Sequence, residues 1–163
     1  MDFEHRMKQC PLQTPAKPDV GVLVNEVLGR LAYLIGEDEA PPGAVFTDWL
    51  HFEINHCGPT AGTLRCWCTR KFAHQLAANL LGVEPQPDEA AAAAEDACRE
   101  FINVLCGQLV TAWYGTGAVF TLTIPTVCGE AHVRPPENLG EQDCRVYVAG
   151  EPLYCQYVAD PPG

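Results

Sequence analysis

Asp96, Glu100, Asn103 and Gly107 follow one another at spacings of four, three and four residues. At about 100° of rotation per residue, that spacing places two carboxylates, a carboxamide and a bare backbone position on one stripe of a helix. A carboxylate can pair with an incoming cation. A carboxamide both donates and accepts hydrogen bonds, but it is not basic enough to take a proton at neutral pH, so it can orient a reactant without serving as a general base. Polar residues opposite a core stripe are also what any solvated helix face shows. Asn and Gly are poor helix formers, and Gly costs about 1 kcal/mol relative to Ala. Their presence in the stripe is explained if something approaches the helix closely, where Gly107 leaves room. A second constellation is Cys66-Trp67-Cys68, which could chelate a soft metal with Cys57, His56 or Cys155 as further ligands. A one-residue gap on a strand instead aims both sulfurs at the face of Leu64, as small core residues. His51 and His56 read as a strand-face and a turn residue.

The elements that must position the stripe follow from periodicity. Val20, Leu23, Val24, Val27, Leu31 and Leu34 mark an amphipathic helix over 20–34, closed by Gly36. Residues 45–54 alternate, with Phe46, Leu50, Phe52 and Ile54 on one face and Thr47, His51 and Glu53 on the other. Residues 63–69 alternate again, with Leu64, Cys66 and Cys68 inward, and the two strands form a hairpin. Phe72, Leu76, Ala77, Leu80 and Leu81 predict a short helix ended by Gly82. A long helix then runs from an Asp88 cap to Tyr114, its core side formed by Ala94, Cys98, Phe101, Ile102, Leu105, Leu109 and Ala112. Residues 118–127 return to strand with Phe120, Leu122 and Ile124 inward. A polar loop follows over 134–142, and 144–158 form a hairpin turning at Gly150 and Glu151. The fold class is α+β: a largely antiparallel sheet, a long motif-bearing helix and shorter helices packed on it.

Composition narrows the function. The 163 residues suit one domain, read as 19–163 behind an N-terminal arm of residues 1–18 that holds three prolines. With 47% apolar and 19% charged residues the chain is globular, and no apolar stretch approaches a membrane span. No apolar leader region or lipidation box is present, and nine cysteines, an odd number, fit a reducing cytoplasm. A net charge of −11 with only ten Lys and Arg argues against nucleic acid.

The stripe, followed by Pro125 some twenty residues on, resembles the signature of the CheC/CheX/FliY chemotaxis phosphatases: an Asp or Ser, three residues, Glu, two residues, Asn, and then Pro. EFINVLCGQLVTAWYGTGAVFTLTIPTVCGE looks like the CheX form and GTLRCWCTRKFAHQLAANLLG resembles the segment before it, so the likeness covers about residues 62–130. CheC-like members carry a second copy of the motif on the first helix, where this chain offers Asp19, Leu23 and Glu26. The resemblance therefore implies one centre per chain, as in CheX, whose similar chains pair as homodimers through their sheets. It also implies hydrolysis of the phosphoaspartate of a CheY-type response regulator in two-component signalling, with Asn103 orienting water and Glu100 pairing with the receiver lysine. Asp96 would contribute to contact or orientation, and Pro125 would fix a strand end. Magnesium would be held by the partner's own acidic residues, leaving no metal or cofactor to this chain. The competing reading is a catalytically silent adaptor that binds a receiver or flagellar-switch protein.

Overall fold

The computed structural model describes residues 17–161. The expected arm at 1–18 lies outside them except for Lys17 and Pro18. Pro18 is anchored, its carbonyl accepting a 2.9 Å hydrogen bond from the Trp113 indole, and the Lys17 ammonium lies 4.8 Å from the Tyr114 ring centroid.

Three helices, α1 (Val20–Ala32), α2 (Arg70–Leu81) and α3 (Ala90–Tyr114), pack on an antiparallel sheet. Its six strands are β1 (Trp49–Cys57), β2 (Gly62–Thr69), β3 (Thr121–Leu122), β4 (Thr126–Cys128), β5 (Cys144–Val148) and β6 (Glu151–Ala159). The order is β3-β1-β2-β6-β5, and β4 continues the β3 edge along β1. The α+β expectation holds. The alternation of Leu50, Phe52 and Ile54 with Leu64, Cys66 and Cys68 sends all six into the core beneath α3, whose Ala94, Cys98, Phe101, Ile102, Leu105 and Leu109 complete it. The opposite face of the sheet is covered by Phe46 and Val133, which pack on Trp49, Trp67 and Tyr154.

Several boundaries differ from the sequence reading. Helix α1 ends at Ala32 because Tyr33 turns left-handed (φ 55°), and its N–H bonds the Leu28 carbonyl. Gly36 does not close the helix; it lies so close to the Asn25 side chain that a Cβ would collide with it, and would be tightly packed against Val146. The first strand begins at Trp49 rather than at 45, because Asp48 at φ 59° breaks the extended run. Phe46 thereby falls on the other face, with its ring 6.3 Å from Trp49 and 6.0 Å from Tyr147. Glu89, not Asp88, occupies the cap position of α3, and its side chain makes no capping bond. Ala112 is exposed, on a flank of α3 that opens onto a depression shared with Leu23, Glu26 and Arg30 of α1, while the neighbouring Trp113 and Tyr114 pack against the core. The final hairpin turns one residue earlier than expected, at Ala149 and Gly150, whose φ values of 49° and 81° are those a two-residue turn requires.

His56 is 1% exposed; its Nε2 lies 2.8 Å from the Tyr157 hydroxyl, and its ring stacks on Tyr157 and meets Phe120 edge-on. Burial pushes its pKa down, against the raising effect of the Asp160 carboxylate. An unfolded histidine binds a proton near pH 6.5 that the folded chain resists, so the stability present above that pH is lost as pH falls. Thermal unfolding is expected at a lower temperature at pH 5.5 than at pH 7.5, with the difference reduced in His56→Gln. An equal or higher midpoint at pH 5.5 would contradict this.

Candidate functional site

Phe101, Ile102 and Leu105 are fully buried and fix the rotation of α3 about its axis. Asp96, Glu100 and Asn103 are consequently exposed on its outward flank. Asp96 accepts a 2.9 Å hydrogen bond from Arg99, which also lies 3.6 Å from Glu95. Among the described residues, neither the Glu100 carboxylate nor the Asn103 carboxamide has an ion-pair or hydrogen-bond partner. Both keep their full bonding capacity for something that docks.

The facing wall is an irregular sheet edge. Leu122 stands opposite His56, and Thr126 opposite Glu53. Three edge residues, 123–125, thus face two on β1, 54 and 55, and the extra residue makes a bulge. Proline at 125 has no N–H for the ladder, which accounts for the break there. Thr123 anchors the near side: its N–H donates to the Asn55 carbonyl at 2.9 Å, and its hydroxyl accepts from the Asn55 N–H at 3.0 Å. The bulge turns Ile124 out to 86% exposure, overturning the expectation that it faces inward.

Between these walls lies an open groove of about 300 Å³ lined by Asp96, Arg99, Glu100, Asn103, Thr123, Ile124 and Pro125. Four residues singled out from the sequence, Asp96, Glu100, Asn103 and Pro125, are therefore brought together. Gly107 is not among them. It opens instead onto a depression shared with Leu23, Glu26 and Arg30 of α1, where a Cβ would meet nothing within 4 Å. Sequence reasoning missed Arg99, Thr123 and the outward Ile124. The Asp96-to-Arg99 spacing of three and the Ile-Pro step were the available signals.

The cysteines form a separate, buried group. Cys66 and Cys155 are register partners on β2 and β6 with sulfurs 3.1 Å apart, and Cys68 lies 3.9 Å from Cys98. Burial pushes the thiols of Cys66, Cys68 and Cys155 up, disfavouring the thiolate that binds metal. Among the described residues no group of three or more His, Cys, Asp or Glu is arranged to hold a metal ion. His51 stacks on Trp67 at 4.8 Å on the outer face of the sheet, away from this group.

The model of the family described as chemotaxis phosphatase CheX matches residues 54–149, a span that includes both walls of the groove. The chain belongs to the CheX family. Among solved structures its fold is similar to the chemotaxis protein CheX from Desulfovibrio desulfuricans (TM-score 0.66, 15% identity, covering 86% of this chain and 96% of that one). It is also similar to CheX from Vibrio vulnificus (TM-score 0.64, 18% identity, 86% and 93%). A third similar structure is from Borrelia burgdorferi, where CheX is in complex with CheY, BeF3 and magnesium (TM-score 0.64, 18% identity, 87% and 96%). No curated protein matches the chain. No helix among the described residues of this CheX-family chain is long and apolar enough to cross a membrane.

Proposed function

We propose that this chain hydrolyses the phosphoaspartate of a CheY-type response regulator in the cytoplasm. The carrying observation is the pair Glu100 and Asn103: exposed, unpartnered among the described residues, and set in one groove against the Pro125 bulge. The family's description as a chemotaxis phosphatase and the similar Borrelia chain's complex with CheY support the reading. Water attacks phosphorus, the bond from phosphorus to the aspartyl oxygen breaks, and the products are inorganic phosphate and the free carboxylate. The Asn103 carboxamide accepts a hydrogen bond from that water and donates one toward a phosphoryl oxygen, holding the attack in line. Glu100 pairs with the receiver's lysine, docking α3 and positioning that cation in the reacting assembly. Asp96, tied to Arg99, contributes contact at the rim. Magnesium belongs to the receiver's acidic residues. The test is the lifetime of a phosphorylated receiver from the same genome, measured with and without this chain; a shortened lifetime supports the reading and an unchanged one opposes it.

We also infer a homodimer in solution, as implied for the single-centre branch of the family. The β5 edge is already engaged by Glu37, whose N–H and carbonyl bond Tyr147 at 2.7 and 2.8 Å. The rest of β5 and the β3/β4 run form the two edges of the sheet, and the β3/β4 edge is a wall of the groove. Light scattering is expected to give about twice 17.8 kDa. A monomer mass at micromolar concentration would contradict it.

A further inference from the structure

The flank of α3 that carries Asp96 and Glu100 borders a second groove on its other side. Leu31 of α1, Leu80 and Leu81 of α2, and Ala92, Ala93 and Ala97 of α3 line about 570 Å³ of open space. It exists because Ala92, Ala93 and Ala97 are too short to fill the gap between two packed helices, where larger apolar side chains would bury more surface and stabilise the fold. Leu81 is left 59% exposed in the wall, and Val83 just beyond it 66%. Every charged residue lining the groove is acidic: Glu89, Asp96 and Glu100. Neither Glu89 nor Glu100 has an ion-pair partner among the described residues.

We propose that this groove receives an amphipathic helix of the receiver, with apolar side chains between α2 and α3 and flanking Lys or Arg side chains on the acidic rim. The inference rests on the receiver-phosphatase reading for the identity of the occupant. Two observations select it. Asp96 and Glu100 line both grooves, so one partner that meets Asn103 also reaches the apolar side. The charged lining is Glu89, Asp96 and Glu100 with no basic residue, which complements a partner that presents Lys or Arg beside its apolar side chains. A cleft between two helices seats a third by ridges into grooves, with apolar anchors at helical spacing.

The experiment uses the full chain with Ala92→Arg, an exposed position where arginine suits a helix, fills the groove and opposes a basic partner. Leu81→Gln is the second variant. Binding is measured to the magnesium-loaded receiver treated with beryllium fluoride, alongside phosphate release. Ala92→Arg is expected to raise Kd and KM about tenfold and Leu81→Gln about threefold, with the loss in KM rather than kcat. Ala92→Arg with a wild-type circular dichroism spectrum and an unchanged Kd would overturn the proposal. So would a dimer-to-monomer change in mass with receiver binding intact, which would assign the groove to a second copy. Binding that is sensitive to Ala92→Arg in a chain that accelerates no dephosphorylation would support the docking groove while refuting the phosphatase reading. A wild-type chain that binds no receiver would refute both.

Discussion

Replacing Asn103 with alanine is expected to cut receiver dephosphorylation by about 100-fold or more, while fold and receiver binding stay close to wild type. The side chain projects from an exposed position and makes no hydrogen bond within the described residues, so its removal breaks no contact that the fold uses. Alanine is also the better helix former, so α3 loses nothing. What disappears is the group that holds water in line with phosphorus. Loss of such alignment is read in kcat, and two orders of magnitude correspond to about 2.7 kcal/mol of barrier. Glu100→Ala is expected to behave differently, weakening docking as well as turnover, because its carboxylate meets the partner before the chemistry begins. Phosphate release at saturating receiver checks the first variant, and a binding titration separates the two. An Asn103→Ala chain as active as wild type would show that the centre lies elsewhere.

Phe101→Ala is expected to cost about 3–5 kcal/mol of folding stability, the size of effect seen when a large aromatic is deleted from a packed core. Phe101 is 0% exposed and stands next to Glu100 in sequence, on the side of α3 that meets the sheet. Its ring fixes which flank of the helix faces outward, so the same change should loosen the geometry of Glu100 and Asn103. Urea unfolding checks the magnitude through the shift in midpoint at constant slope. A loss below about 1 kcal/mol would contradict the packing described here.

The core and the motif stripe were legible because each follows one local period. Leu50, Phe52 and Ile54 alternate at two, and Phe101, Ile102, Leu105 and Leu109 recur at three and four, so burial follows spacing. Where a single residue changes the phase, the pattern misleads. Asp48 in a left-handed conformation sends Phe46 to the other face, and the bulge before Pro125 turns Ile124 from core to surface. The spacing of Asp96, Glu100 and Asn103 put them on one flank of α3, but not against Thr123 and Pro125. That juxtaposition depends on β4 pairing back onto β1, a contact between residues more than seventy positions apart. The alanine-lined groove was illegible for a related reason. A run of alanines reads as helix propensity, and only the packing of α2 against α3 shows that it leaves space.

The central claim is tested most directly by phosphate release under turnover, with the phosphorylated receiver in large excess over this chain. The account predicts that substoichiometric chain releases many equivalents of phosphate at a rate proportional to chain concentration, and that Asn103→Ala abolishes most of the increase. A wild-type chain that binds the receiver yet leaves phosphate release at the receiver's own rate would contradict it, and would identify the chain as an adaptor that keeps the fold without the reaction.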